Sequence, residues 1–500
     1  MLLLGIDIGT SFIKVSVVDA AEQSCVASAK YPETEAAVLC PRPGWAEQSP
    51  DQWWDDVKQA ILKCHSSGLY DPADIAAVGI AYQMHGLVVV DKQQQVLRNA
   101  IIWSDGRAVE IGNKAFTEIG EDQCLSQLLN SPGNFTASKL AWVKANEPGI
   151  YESIDKFMLP GDFIAMKMTG EISTTSAALS EGIFWDFKEN RISDDVIEYF
   201  EFNHSLFPEI KTLFAPHGYM KEAVASRLSL KSGIPVSYKA GDQPNNALSL
   251  NVLRPGEIAA TAGTSGVVYA VSDELTYDKE SRVNSFVHVN HTDSQNSIGV
   301  LLCINGCGAT NKWMRQSTGT ALNYQQMNDA AATVKAGSNG LQIIPFGNGA
   351  ERMLGNKMIG THFHNLDNSI HSQPHLFRAT QEGIAFAFRY GIDIMRENNI
   401  FPAVIRAGNT NMFLSAVFAQ AFVDATDIPV ELHECDGSIG AAIGAGIGAG
   451  VFKNAAEAFS MHRPTKIIEP KQSRMYHELY DSWKETLLKI VNKTSEIWQS

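Results

Sequence analysis

The 500-residue chain contains no apolar run long enough to span a bilayer, for which about 18 residues are needed. The glycine- and alanine-rich stretch 437–451 comes nearest and is too short. No basic region precedes the apolar N-terminus, and Asp7 falls inside that first run. The segment is therefore expected to be a buried strand and not a signal peptide. There are only seven cysteines, an odd number, scattered and without a Cys-x-x-Cys pair. That pattern fits reduced thiols and a cytoplasmic location. Positive charge is also short, with 40 Lys and Arg against 55 Asp and Glu and a net charge of −15. The balance argues against a nucleic-acid partner, although it is compatible with a local anion site. No Gly-x-Gly-x-x-Gly follows the first strand, which excludes a nicotinamide dehydrogenase.

What is present begins at the N-terminus. Within Leu2 to Asp19, two β-rich runs flank Gly9-Thr10-Ser11, a pattern that predicts a hairpin. Gly9 can take the backbone geometry of a tight turn, and its neighbours offer N–H groups and two hydroxyls to an anion. Asp7 stands where a carboxylate could hold magnesium through water, and Lys14 adds a positive charge on the second strand. One such copy can be a plain turn. A second copy, strand–Gly263-Thr264-Ser265–strand, follows half a chain-length later. The repeat points to a duplicated domain facing a shared cleft, with two phosphate-cradling turns suited to a nucleoside triphosphate. Length favours two or three domains, and the expected division is 1–247 and 248–500.

Taken in order, Ser49-Pro50-Asp51 opens a helix whose apolar face holds Trp53, Trp54, Val57 and Ile61. Gln83-Met84-His85 interrupts two buried strands, a place for ligand-contacting loops in α/β sheets; taken without context, a core Met and a capped His are the more natural reading. Asp105 and Arg107 follow another strand, either as a structural pair or as polyol contacts. Thr174–Ala178 reads as a polar turn. The strand from Ile234 ends in Gly241-Asp242 before a helix, so Asp242 is either a catalytic acid or base at a strand end or a helix N-cap. Cys303 and Cys307 read as packing residues around a glycine turn that leads to Gly308. Gly408 ends a strand where a base or ribose could approach the backbone, and a plain βα turn is equally natural there. The run 437–450 reads as a helix packed between domains, since its glycines are otherwise unfavourable. Tyr476–Trp498 reads as an amphipathic tail helix.

In order and spacing these pieces resemble the FGGY family of carbohydrate kinases over nearly the whole chain. The motifs are Asp7-Ile8-Gly9-Thr10-Ser11 with Lys14, Gln83-Met84-His85-Gly86, Trp103-x-Asp105-x-Arg107, Gly241-Asp242-Gln243, Gly263-Thr264-Ser265-Gly266, Arg378-Ala379-x-x-Glu382-Gly383 and Gly440-Ala441-Ala442. Gln-Met-His-Gly with Trp-x-Asp-x-Arg resembles the xylulokinase branch. The resemblance implies an α/β, two-domain actin/hexokinase-like ATPase fold of duplicated ribonuclease H-like domains with an interdomain cleft. It implies transfer of phosphate from ATP, with Mg2+, to D-xylulose, with Asp242 as general base and Asp7 organising the metal. Met84, His85, Asp242 and Gln243, with Asp105, are its sugar site. Gly9, Thr10, Ser11, Lys14, Gly263, Thr264, Gly308, Gly408 and Asn411 are its nucleotide site. The partners are then a small sugar and ATP, with no membrane or nucleic acid, and a homodimer is admitted. Ribulose, apulose and glycerol remain as other acceptors. A sugarless actin-like ATP-binding protein is disfavoured by the polar residues Gln83 to His85. The sequence departs from the pattern at Arg406-Ala407-Gly408, where a glycine triplet is usual, and at Gln243, where Asn is frequent.

Overall fold

The computed structural model describes residues 1–318 and 322–497. Its compact units interleave along the chain. The first takes Met1–Asn251, Phe286–Ile298 and Cys435–His462, and the second takes Val252–Ser285, Gly299–Glu434 and the chain from Arg463 onward. Each carries its own mixed sheet.

In the first unit, β1 (Leu2–Ile8) and β2 (Ile13–Asp19) form the antiparallel hairpin, with Asp7 opposite Lys14. β3 (Ser24–Tyr31) pairs antiparallel to β2, and β4 (Ile75–Tyr82) parallel to β1. Beyond them lie β5 (Gly218–Tyr219) and β6 (Pro235–Gly241), giving the order β5-β6-β4-β1-β2-β3. Both faces of the central strands are covered, which is why they are apolar almost throughout instead of alternating. Leu4, Ile6 and Ile8 share one core with Trp53, Val57 and Ile61 of helix Pro50–His65 and with Phe163 and Ile164 of helix Pro160–Thr169. Full burial of each such side chain contributes about 1.5–3 kcal/mol. Ser49 caps the first of these helices by accepting from Gln52 N–H, and Pro50 occupies its first turn.

Leu3, Gly5 and Gly79 face the other way, toward the glycine-rich helix Gly437–Gly448. A methyl group on Gly5 would overlap the Ser438 carbonyl, and one on Gly79 the Ala441 carbonyl. The expectation of a helix packed between domains is corrected here. It packs on β1, β2, β4, β6 and helix Asp242–Ser249, all within the first unit. The glycines serve that close approach of helix and sheet. Gly79→Ala is expected to cost about 1–3 kcal/mol through overpacking, read as a lower urea midpoint with an unchanged slope.

The second unit repeats the plan. β7 (Glu257–Ala262) and β8 (Gly266–Ser272) form an antiparallel hairpin. With β9 (Ile298–Ile304), β10 (Val404–Gly408), β11 (Val430–His433) and β12 (Lys466–Ile468), six of the seven described strands of this sheet run in the order β9-β8-β7-β10-β11-β12. As in β3-β2-β1-β4-β6, the first hairpin strand lies centrally, its second and third strands follow to one side, and two parallel strands lie to the other. The duplication read from two short turns is thus a duplication of whole sheets. The long helix Gln373–Glu397 packs Phe386 among Tyr476, Tyr480 and Trp483 of the tail helix Ser473–Ile497; Trp498 lies outside the described residues. No helix among the described residues is long and apolar enough to cross a membrane.

Two local readings change. Thr174–Ala178 is not a polar turn: the Thr175 hydroxyl accepts from Ala178 N–H at 3.1 Å and starts a helix over Ser176–Glu181. Cys307 is buried as expected, but Cys303 is exposed.

Candidate active site

The parallel strands of the first unit end at Ile8, Tyr82 and Gly241, and the candidate residues cluster at those ends, the ligand-binding end of such sheets. Asp242 is the first residue of helix Asp242–Ser249, and Gly241 occupies the cap position. The N-cap alternative therefore falls away. Burial, with Asp7 adding its charge, pushes the Asp242 carboxyl up to about 7. Such a carboxylate is a base poised near neutral pH. Gln243 hydrogen-bonds Asp242 through its side chain, while its buried Oε1 has no partner. A buried acceptor left unmet is costly, and a ligand hydroxyl would satisfy it.

Asp7 is half-buried, with the Gly437 backbone against its carboxyl. Burial raises it to about 6 even though Lys14 opposes the shift. Burial alone would lower the Lys14 ammonium, but Asp436 and Asp7 hold it above the usual lysine value. Lys14 pairs with Asp436 at 2.9 Å, and Asp436 in turn caps the glycine-rich helix. At the turn itself Gly9 has no left-handed φ. It needs room instead: its N–H donates to the Phe12 carbonyl at 3.1 Å, and a Cβ would stand 3.0 Å from that oxygen. The Ser11 carbonyl accepts from Ala36 N–H, while the Thr10 hydroxyl donates to Gln83 Oε1 at 3.1 Å and accepts from Trp103 Nε1 at 2.9 Å. Gln83 Nε2 continues to Gln48 Oε1, which also accepts from Trp53 Nε1. The first phosphate turn and the loop at Gln83 are thus one hydrogen-bonded unit.

Met84 is buried against Gly241. His85 has φ +62°, a left-handed backbone at a non-glycine residue. Its Nδ1 lies 2.9 Å from the Glu181 carbonyl, and Phe135 and Phe286 flank the ring at 4.8 and 5.3 Å. Asp105 is completely buried. Its oxygens accept from Ala46 N–H and from the Arg107 guanidinium at 2.7 and 2.9 Å, and Arg107 lies over the Trp45 ring at 3.9 Å. The substrate contact expected of Asp105 is corrected to a structural ion pair, because no face of its carboxylate is open.

Two residues near the loop escaped sequence reasoning. Lys139, fully buried, donates to the carbonyls of His85 and Ile102. Burial lowers its ammonium to about 7 against the pull of Asp105. The Glu181 carboxyl lies beside Met84 against Gly241, and neither carboxyl oxygen makes a well-formed hydrogen bond. Burial pushes it well above the usual carboxylate range. A lysine within a run of apolar helix residues was the available signal for the first. Nothing local marks the second.

In the second unit the carbonyls of Gly263 and Thr264 accept from Gly308 and Ala309 N–H at 3.0 and 2.9 Å, so the hairpin turn seats helix Gly308–Ser317. Gly408 ends β10 beside β7, and Asn411, at φ +53°, brings its amide toward Gly263. Gly263, Thr264, Gly308, Gly408 and Asn411 therefore meet at one sheet end. Arg406, the departure from a glycine triplet, pairs with Glu257 and Glu431 on the neighbouring strands at 3.2 and 2.8 Å. It works as a cross-strand tie.

The chain matches two family models, the N-terminal domain of the FGGY family of carbohydrate kinases over residues 2–249 and its C-terminal domain over 258–450. It is 30% identical to a xylulose kinase of Escherichia coli (strain K12) over 399 residues, 80% of each chain. Among solved structures it is similar to a xyloylose kinase from Brucella ovis, at TM-score 0.87 and 25% identity over 97% of this chain and 98% of that one. A gluconate kinase from Lactobacillus acidophilus shares the fold at TM-score 0.89 and 21% identity, covering 99% of both chains.

Proposed function

The chain belongs to the FGGY family of carbohydrate kinases, and from that premise we propose that this sugar kinase transfers phosphate from ATP to the C5 hydroxyl of D-xylulose. The observation that carries the mechanism is the Asp242 carboxyl, raised to about 7 at a strand end beside the polar loop at Gln83. Phosphoryl transfer demands positioning and charge neutralisation more than covalent chemistry from the protein. In the proposed step the Asp242 carboxylate accepts the proton of the C5 hydroxyl, the oxygen so freed bonds to the γ-phosphorus, and the bond from that phosphorus to the β,γ-bridging oxygen breaks to leave ADP. Gln243 Oε1 accepts from a sugar hydroxyl, and Met84 forms an apolar wall that fits one stereochemistry. The turns at Gly9 and Gly263 and the Gly408–Asn411 segment are the proposed nucleotide contacts.

Asp7 fits a magnesium ion, because burial disfavours its charge and a dication restores it. Magnesium is ordinarily held by one or two carboxylates, with water and substrate phosphate oxygens completing its shell. When bound, it would neutralise the charge of the transferring phosphate.

The choice of xylulose is supported by the names of the similar proteins and by Met84-His85 in the loop. A coupled ATP-to-ADP assay across xylulose, ribulose, apulose, glycerol and hexuloses tests it, with the highest kcat/KM expected for xylulose. Preference for another acceptor overturns the substrate, and sugar-independent ATP hydrolysis overturns the kinase reading. His85→Ala is expected to raise KM for xylulose by the loss of one buried hydrogen bond, about 1–3 kcal/mol, with KM for ATP unchanged. Equal weakening of both would remove His85 from the sugar site.

A further inference from the structure

A residue with a Cβ holds a left-handed backbone only where its surroundings impose it, and His85 does so at φ +62°. Its ring is held by the Glu181 carbonyl and by Phe135 and Phe286. Its main chain is held by Lys139, whose Nζ donates to the His85 carbonyl at 2.7 Å and to the Ile102 carbonyl at 3.1 Å. Lys139 is 0% exposed, and its hydrogen bonds among the described residues go to main-chain carbonyls. Burying an ammonium is more costly than burying an apolar side chain of the same length. Packing of helix Thr136–Asn146 therefore does not explain a lysine at this position. Its two acceptors do: one belongs to the loop, and the other precedes Trp103, which donates to Thr10 in the hydrogen-bonded unit of the phosphate turn.

We propose that Lys139 is a positioning residue for the acceptor sugar: its ammonium ties the His85 and Ile102 carbonyls together and fixes the left-handed turn that presents the His85 imidazole to substrate. The inference rests on the reading of His85 as a sugar contact. Lys139 acts on specificity through the backbone and touches no reacting atom. Removing its donors should loosen the loop directly and the phosphate turn only at one remove, through Ile102, Trp103 and Thr10.

Lys139→Met keeps length and removes every donor. KM for the preferred sugar is expected to rise about tenfold, equivalent to about 1.4 kcal/mol, with a much smaller change in KM for ATP. Added to His85→Ala, the same substitution should produce no further rise, because residues acting through one contact are non-additive. Lys139→Gln, which retains an N–H donor, should fall between wild type and Lys139→Met. An unchanged sugar KM in folded Lys139→Met, or an equal rise on the wild-type and His85→Ala backgrounds, overturns the proposal. So does failure of both Lys139 variants to fold, which would make the lysine a support of its helix alone. If His85→Ala itself leaves sugar KM unchanged, the reading of His85 fails and takes this inference with it. If His85→Ala is impaired while Lys139→Met is silent, only the inference fails.

Discussion

Asp242→Asn is expected to lower kcat by ~10²–10⁴-fold, the usual cost of removing a general base, while sugar binding persists and the folded protein becomes more stable above neutral pH. The stability gain follows from the same burial that makes the residue useful. The carboxyl is raised from 3.8 to about 7 in the folded chain, so between those values the native state holds a proton that the unfolded state has released. The group's contribution is full below about pH 4 and is lost as pH rises through about 7. Asparagine has no charge to bury, so its advantage over wild type should grow across that window. Thermal melts at several pH values with sugar calorimetry and steady-state rates make the test. Near-normal kcat in a folded variant would remove Asp242 from the role of base. A stability change independent of pH would mean that its carboxyl is not raised. For the wild type, kcat should fall as pH drops through about 7, where Asp242 takes up its proton.

Asp7→Ala is expected to reduce magnesium-dependent turnover by at least about 100-fold, at the strong end for groups that hold or orient a metal, with much less effect on sugar affinity. Burial lifts Asp7 to about 6 despite the neighbouring Lys14. Its charged form is therefore disfavoured until a cation arrives. Sugar calorimetry without nucleotide, beside turnover titrated with magnesium, separates the roles. If sugar binding falls as far as turnover does, Asp7 supports the sugar site and the magnesium assignment fails. The substitution should also shift the Asp242 pH profile downward, because Asp7 is one cause of the rise there. An unmoved profile would deny the coupling between the two carboxyls.

Much of this molecule is written in short stretches of chain. Each hairpin is specified by apolar strands around Gly-Thr-Ser. The strand-end position of Asp242 follows from an apolar run, a Gly-Asp step and a following helix, all within a dozen residues. The family motifs add to these local signals because they too are contiguous. By contrast, Asp105 and Arg107 looked equally suited to sugar and to structure, and the choice was made by Trp45 and the Ala46 N–H, which only the fold brings to them. The glycine-rich helix announced that backbone must come close but not which backbone. Gly5 and Gly79, more than 350 residues earlier in the chain, supply it. Lys139 could be seen as an odd charge in an apolar helix, while its partner, the His85 carbonyl, lies on another element. Glu181 gave no local sign at all, since its environment is built from Met84 and Gly241. Backbone pairing and periodicity act between near neighbours, so the sequence alone determined the hairpins, their duplication and the placing of the candidate base. Burial of a polar group depends on what the whole chain folds against it, so only the tertiary structure decided which carboxylates are open to a ligand and which are enclosed.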